Sequence, residues 1–170
     1  MLEIFNTLGP FFEDNYRRIN VREYARLQKI SPPTASKLLS SLKKEGLINQ
    51  EEDRQFIYYY ANKSSNIFID LSRIYWKAII QNSGLFEEIT KNFLNPIIIL
   101  FGSLSKAEVK ASSDIDLAII TPTKKELQIN KFEKALNRKI QIFKFSTKEE
   151  IKSKELLNNI LNGYKIAGEF

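Results

Sequence analysis

Two aspartates separated by one residue are the clearest candidates for chemistry in this sequence. Asp114 and Asp116 lie near the start of a predicted strand, Ser112–Ile120. In an extended chain, residues two apart point to the same face, so the two carboxylates are predicted to be neighbours. Neighbouring carboxylates repel each other unless something neutralises them. A divalent cation such as Mg²⁺ that bridges to a triphosphate would do so, because hard cations prefer oxygen ligands.

A glycine and a serine precede this pair of aspartates by about ten residues. Gly102 and Ser103 directly follow a short apolar strand, Ile97–Phe101. Glycine allows the backbone to approach a phosphate, and Ser103 adds a hydroxyl and a backbone N–H. Each feature alone is common, since an isolated pair of spaced aspartates is more often a solvated strand end. The prediction of a nucleotide site therefore depends on the combination.

The composition excludes several other chemistries. The chain has 170 residues with no Cys and no His, so Ser-His-Asp triads, thiolate chemistry and most zinc sites are excluded. Hydrophobic residues make up 43% of the chain, which is enough for a packed core. The net charge is +6, which permits a polyanionic partner without requiring one.

The first third of the chain predicts three helices and a hairpin. The first helix spans residues 3–18, with Gly9-Pro10 as a kink or an early break. Asn20 and Glu23 have the spacing of a capping box for the second helix. Ser31 is the predicted cap of a third helix, about Thr34–Glu45, with Pro32 at its first turn. Two apolar segments, Leu47-Ile48 and Phe56–Tyr60, then predict a hairpin.

This order of elements resembles a winged helix-turn-helix, which implies double-stranded DNA as a partner. Between Arg17 and Lys44 the chain has eight basic residues and one acidic residue. The predicted groove-facing residues share the polar side of the third helix and are Thr34, Ser36, Lys37, Ser40, Ser41 and Lys44. The same pattern also fits an ordinary solvated helix face. A predicted hairpin tip at Glu51–Asp53 argues against a strong contact of the wing with phosphates.

The middle of the chain predicts a helix that is apolar on more than one side. From Ser65 to about Gln81, one stripe contains Ile67, Leu71, Ile74, Tyr75 and Ala78, and Phe68, Trp76 and Ile80 fall outside it. Such a helix is buried on more than one side, either between two domains or in a homodimer. A shorter helix, Leu85–Phe93, follows and ends at Asn95-Pro96.

The strand, the Gly-Ser turn and the segment SDIDLAI together resemble the signature of minimal nucleotidyltransferases of the polymerase-beta-like superfamily. The resemblance implies that Gly102 and Ser103 contact the phosphates of a nucleoside triphosphate, such as ATP, and that Asp114 and Asp116 bind Mg²⁺ as the catalytic pair. Lys106 takes the place of a family Arg, although it lacks bidentate geometry. Ser113 precedes the first carboxylate and would orient it.

A third carboxylate, which family members commonly place on the next strand, is missing. That strand is predicted at Arg138–Phe145, and the expected position corresponds to Gln141. An amide cannot act as a general base. Two functions stay open: Mg²⁺-dependent nucleotidyl transfer, with a partner protein as the acceptor that the resemblance suggests, or a regulator or antitoxin-like protein that binds nucleotide or a toxin-like partner without turnover.

The predicted fold class is α+β, with three parts. These are a winged helix-turn-helix domain (1–64), a helical connector (65–95) and a small mixed-sheet nucleotidyltransferase domain (96–170). The longest apolar run, Ile97–Phe101, is too short to cross a membrane, and no signal peptide is recognisable. We therefore expect a cytoplasmic protein.

Overall fold

The computed structural model describes residues 3–169, and Met1, Leu2 and Phe170, which the predicted domains include, lie outside the described residues. The described chain combines eight α-helices with two β-sheets, which confirms the α+β class. It divides into two compact units. The first runs up to Ser72 and includes Ala107–Ala111, and the second comprises Arg73–Lys106 and the chain from Ser112 onward. Within residues 3–169, every helix lacks either the length or the apolar content needed for a membrane crossing.

The first unit is built from helices and a small antiparallel sheet. Its elements are α1 (Glu3–Glu13), β1 (Ile19–Asn20), α2 (Val21–Gln28), α3 (Pro32–Lys44), β2 (Ile48–Asp53) and β3 (Phe56–Ala61). The strand order is β1-β3-β2. Phe11, Phe12, Tyr24 and Leu39 are fully buried and form the centre of its core. Whether this arrangement functions as a winged helix stays a prediction.

Side-chain caps determine where α2 and α3 begin, as the sequence predicted. The Asn20 side chain accepts a hydrogen bond from the Glu23 backbone N–H at 2.9 Å. The Ser31 hydroxyl accepts one from the Thr34 backbone N–H at 3.3 Å. These bonds satisfy N–H groups that a helix start otherwise leaves without partners. The α3 stripe is also confirmed in large part, because Ala35, Leu39 and Leu42 are buried, although Leu38 is only half-buried.

The first helix differs from its prediction in two ways. It continues through Pro10 without a break, and it ends at Glu13, well before residue 18. Proline has no N–H to donate to the carbonyl four residues earlier, which here is Asn6. The Gln28 side chain donates to that carbonyl at 2.9 Å. A side chain from α2 thus supplies the hydrogen bond that Pro10 cannot make.

The predicted tip of the hairpin was wrong. Glu51 and Asp53 belong to β2, and the turn between the strands is Arg54-Gln55, with Arg54 in the left-handed region at φ 61°. The Arg18 guanidinium forms ion pairs with Glu51 and, at 3.2 Å, with Asp53. Two of the three carboxylates that were expected to repel phosphates are therefore neutralised, and the turn itself carries a cation.

The predicted stripe of α4 (Asn66–Asn82) is only partly buried. Within it Tyr75 is buried, whereas Ile67 and Ile74 are 65% and 43% exposed. Phe68, Trp76 and Ile80, which lie outside the stripe, are also buried, and the polar Ser72 between them is buried as well. The prediction that α4 is buried on more than one side is therefore confirmed, although the stripe itself is confirmed only in part.

The second unit contains a four-stranded mixed sheet. After α4, its elements are α5 (Leu85–Asn92), β4 (Ile97–Phe101), α6 (Ser103–Lys106), β5 (Ile115–Ile120), α7 (Asn130–Leu136), β6 (Ile140–Phe145), a 3₁₀ turn (Lys148–Glu150), α8 (Lys154–Leu161) and β7 (Tyr164–Ala167). The strand order is β6-β5-β4-β7. β4 is antiparallel to β5 and β7, whereas β5 and β6 are parallel. Strands β4 and β5 are almost wholly buried and form the rigid support of the predicted site.

The first unit also contains a buried asparagine that binds the segment Ala107–Ala111. The backbone N–H of Asn15 donates to the Val109 carbonyl at 2.8 Å, and the Val109 N–H donates to Asn15 Oδ1 at 2.6 Å. Asn15 Nδ2 donates to the Phe11 carbonyl at 2.7 Å. Asn15 is 1% exposed, so these bonds have no competition from water.

We predict that Asn15→Ala leaves the Val109 N–H without a partner and destabilises the first unit by about 1–3 kcal/mol. Amide hydrogen exchange at Val109 measures this locally and should accelerate markedly. Asn82→Ala, at an exposed position at the end of α4, is the control and should change stability by less than about 0.5 kcal/mol. Unchanged protection of Val109 in Asn15→Ala would contradict the prediction.

Candidate functional site

The Gly102 backbone lies directly against the carboxylate of Asp116. Phe101, the last residue of β4, pairs with Asp116 in the antiparallel register of β4 and β5. A Cβ atom on Gly102 would lie 2.3 Å from Asp116 Oδ2, and Gly102 also has a φ of +69°. Any side chain at position 102 would therefore meet both backbone strain and a direct clash. The predicted phosphate turn and the second aspartate are brought together.

The two aspartates are held close to Gln141. Asp116 pairs with Gln141 in the parallel register of β5 and β6, so their side chains project from the same face of the sheet. Gln141 Nε2 donates a hydrogen bond to Asp114 Oδ2 at 2.6 Å. The Gln141 amide thus lies beside the two aspartates, at the position where the resemblance implied a third carboxylate that this chain lacks.

The electrostatics of the pair favour a bound cation. Partial burial raises the pKa of the Asp116 carboxyl above its ordinary value, and the nearby negative charge of Asp114 raises this pKa further. Both causes make ionisation of Asp116 harder than that of an ordinary aspartate. A cation between the two carboxylates would remove the repulsion. Two neighbouring carboxylates fit a divalent cation, which prefers oxygen ligands.

The turn after β4 is stabilised by hydrogen bonds that involve Ser105 and Arg73. Ser103 starts α6, and the Ser105 hydroxyl donates back to the Gly102 carbonyl at 2.9 Å. Arg73 Nε donates to the Ser105 carbonyl at 2.7 Å. Ser105 is fully buried, so the turn that follows Gly102 is fixed by hydrogen bonds that water cannot reach.

Ser113 and Lys106 have contacts that the sequence did not predict. The Ser113 carbonyl accepts a hydrogen bond from Arg138 Nη1 at 2.7 Å, and the Arg138 guanidinium lies 4.9 Å from the centre of the Trp76 ring. Lys106 Nζ donates to Asn159 Oδ1 at 3.0 Å. The phosphate contact expected of Lys106 therefore competes with a contact to α8, and its role stays a prediction.

Glu133, on α7, does not face solvent. Its side chain is only 19% exposed, and Oε1 accepts a hydrogen bond from the Ile140 backbone N–H at 3.0 Å. Lys139 lies 3.8 Å from its other oxygen. Glu133 therefore caps the start of β6. Within residues 3–169, no cluster of three or more acidic, His or Cys side chains with metal-binding geometry is present.

Sequence reasoning missed Arg138 and Arg73, which hold the two turns of the site through backbone carbonyls. Neither lies in a motif, and their roles depend on contacts between distant segments, so no sequence signal could have found them.

A cavity of about 950 Å³ in the same unit is lined by residues of α5 and the segment before α7, such as Asn92 and Lys125, and by none of the predicted site residues. At the predicted nucleotide site, Gly102, Asp114 and Asp116 are half-buried and Gln141 is exposed.

The six predicted DNA-binding residues all lie on α3 and all are exposed. Two of the hydroxyls already have partners. The Thr34 hydroxyl is 2.8 Å from the Ser31 hydroxyl, and the Ser41 hydroxyl donates to Glu45 at 3.3 Å. Their contact with DNA stays a prediction.

Comparison with known families supports the nucleotidyltransferase prediction for the second unit. Residues 86–166 match the family described as Polymerase beta, Nucleotidyltransferase. That stretch contains Gly102, Ser103, Asp114, Asp116 and Gln141. Neither the curated proteins nor the solved structures contain a match to this chain. The family match suggests nucleotidyl transfer at most, and it does not extend to the helices and hairpin that precede it.

We predict that Gly102→Ala destabilises the second unit by about 1–3 kcal/mol because of its positive φ, with an added cost from the clash with Asp116. Gly46→Ala is the matched control, since Gly46 has a φ of +72° and no atom near the added Cβ. Thermal unfolding should show the larger loss for Gly102→Ala. Equal losses of stability in the two variants would mean that the clash with Asp116 adds nothing to the free-energy cost of Gly102→Ala.

Proposed function

We propose that this chain is a DNA-binding protein whose second unit binds a Mg²⁺-nucleoside triphosphate, most simply ATP, and transfers a nucleotide to a partner protein. The observation that carries the enzymatic half is the contact between Gly102 and the Asp116 carboxylate, with Asp114 beside it, inside the stretch that matches the nucleotidyltransferase family. It supports a site where the backbone, two carboxylates and a triphosphate can meet.

Each residue of the proposed site has its own role. Asp114 and Asp116 would hold Mg²⁺, which when bound supplies charge neutralisation for the triphosphate. Gly102 would present a backbone without a side chain to the phosphates, and the Ser103 hydroxyl and backbone N–H are donors at the adjoining position. In the transfer, an acceptor oxygen bonds to the α-phosphorus, the bond from the α-phosphorus to the bridging oxygen breaks, and pyrophosphate leaves. No residue in the cluster is a carboxylate free to take the acceptor's proton, since Gln141 is an amide.

A partner protein is the acceptor that we favour. A chain of 170 residues that also contains a DNA-binding unit has little surface left to grip a polymer template. A hydroxyl on a partner, including a toxin-like partner, needs only to approach the site beside Gly102. The partner could also supply the base that this chain lacks.

The alternative function is nucleotide binding without turnover, and Gln141 is the observation that favours it. Its amide nitrogen donates to Asp114 at the position where a base is needed. Binding of a Mg²⁺-nucleotide survives the loss of a base more easily than transfer does. In this case the chain would act as a regulator or an antitoxin-like protein that responds to nucleotide.

We expect label from [α-³²P]ATP to appear on a protein that copurifies with the chain, and Asp114→Asn and Asp116→Asn each to lower transfer by at least about 100-fold. Equilibrium binding of ATP with and without Mg²⁺ is measured in parallel. Mg²⁺-dependent binding without any transfer would replace the first function by the alternative. If the chain neither binds ATP nor transfers label from it, the proposed nucleotide site is contradicted.

The DNA-binding half of the proposal is supported by the charges of the first unit. Several exposed basic residues of the first unit have no acidic partner among the described residues, and these include Arg22, Arg26, Lys29, Lys37, Lys43 and Lys44. Lys37 and Lys44 share α3 with the exposed hydroxyls of Ser36 and Ser40. Short hydroxyl side chains allow close approach to a groove, and lysines meet phosphates. The Arg54 turn of the hairpin adds a further cation, so the hairpin no longer argues against binding.

We predict that Lys37→Glu with Lys44→Glu weakens binding to a mixed-sequence DNA duplex and reduces the slope of log K against log salt by about 2, because two phosphate contacts are lost. The control is Lys152→Glu with Lys154→Glu, which changes the net charge by the same amount at exposed positions of the second unit. Fluorescence anisotropy at several salt concentrations measures both. An unchanged slope, or an equal change in the control, would contradict α3 as the contact surface.

A further inference from the structure

Gln141 is in direct contact with one of the two carboxylates of the site. Its Nε2 lies 2.6 Å from Asp114 Oδ2, and its backbone is aligned with Asp116 in the neighbouring strand. The orientation of the amide follows from hydrogen-bond chemistry, because a reversed amide would put its oxygen against a carboxylate oxygen and two acceptors would face each other. Gln141 is therefore a donor to Asp114.

A donor at this place changes how Asp114 can bind a cation. Oδ2 accepts the Gln141 N–H with one of its lone pairs, so Oδ1 is the Asp114 oxygen whose lone pairs are both open to a metal. A carboxylate at position 141 would do the opposite, since it would leave both oxygens of Asp114 open and add an anionic ligand of its own.

The cluster itself offers only two anionic ligands. Asp114 and Asp116 supply two negative charges and Gln141 supplies none. Glu133, the nearest acid before β6, has its carboxylate engaged by the Ile140 N–H and by Lys139. Within residues 3–169 there is no group of three or more acidic, His or Cys side chains that could hold a metal ion.

The backbone on either side of Asp114 is also held, by hydrogen bonds to Arg138 and Lys139. Arg138 donates to the carbonyl of Ser113, and the Ile115 N–H donates to the Lys139 carbonyl at 2.8 Å. The residues on either side of Asp114 are thus bound to the start of the chain segment that carries Gln141. The Gln141 contact therefore sets the direction of the carboxylate on a backbone that is already held.

We propose that Gln141 is a positioning residue that orients Asp114 and limits the site to one divalent cation per bound triphosphate. This inference rests on the proposed function, because it assumes that Asp114 and Asp116 hold the cation. It goes beyond that function in assigning the number of cations and the residue that determines it.

The test is the stoichiometry of Mn²⁺ binding to the full chain in the presence of α,β-methylene-ATP, followed by electron paramagnetic resonance. We expect one bound Mn²⁺ per chain for the unchanged protein and two for Gln141→Glu, which has nearly the same shape and adds a charge. Gln141→Ala should keep one Mn²⁺ with about tenfold weaker affinity, because an orienting partner of a ligand is lost. Gln128→Glu, an exposed position in the loop before α7, is the matched control and should leave both quantities unchanged.

The outcomes separate the inference from the proposed function. Two Mn²⁺ ions in the unchanged protein, or a single Mn²⁺ in Gln141→Glu, would overturn the inference without contradicting the proposed site. If Mn²⁺ binds neither the unchanged chain nor any variant, or if Asp116→Asn does not weaken it, the proposed function and the inference both fail. Thermal unfolding shows that each variant is folded, so lost structure cannot account for a changed stoichiometry.

Discussion

The carboxylate of Asp116 occupies the space that a side chain at position 102 would need. A Cβ there would be 2.3 Å from Oδ2, and the φ of +69° independently favours glycine. The antiparallel pairing of β4 and β5 fixes this contact, since Phe101 and Asp116 are register partners. Because both strands are almost wholly buried, the two halves of the site cannot move apart without disrupting the core of the second unit. The other site residues are arranged around this contact.

Local features of the sequence predicted much of the fold. The caps at Asn20 and Ser31, the buried strand before Gly102 and the hairpin depend on neighbours within a few residues, and these are confirmed. Predictions that depended on distant contacts held only in part. Gly9-Pro10 was expected to kink or break α1, but the helix continues through Pro10, and the Gln28 side chain supplies the missing hydrogen bond from another helix. In α4 the apolar residues outside the predicted stripe are buried, as expected, but Ile67 and Ile74 of the stripe are exposed.

In the candidate site, too, local features could be predicted and contacts between distant segments could not. The spacing of Asp114 and Asp116 and the Gly-Ser pair could be recognised in the sequence, and so could the position of Gln141 on the next strand. The hydrogen bond from Gln141 to Asp114, and the support that Arg138 gives to Ser113, could not. They arise from the parallel register of β5 with β6 and from the stacking of Arg138 on Trp76, which only the folded chain brings about. The sequence therefore predicted the candidate ligands, and the fold shows the contacts that orient their side chains and backbone.

The most direct measurement of the central claim is the location of the cation in a crystal of the full chain grown with Mn²⁺ and a non-hydrolysable ATP analogue. The account predicts an anomalous peak between the carboxylates of Asp114 and Asp116, with triphosphate density running past the Gly102 backbone. A peak bound elsewhere, with the triphosphate away from Gly102 and Ser103, would contradict it.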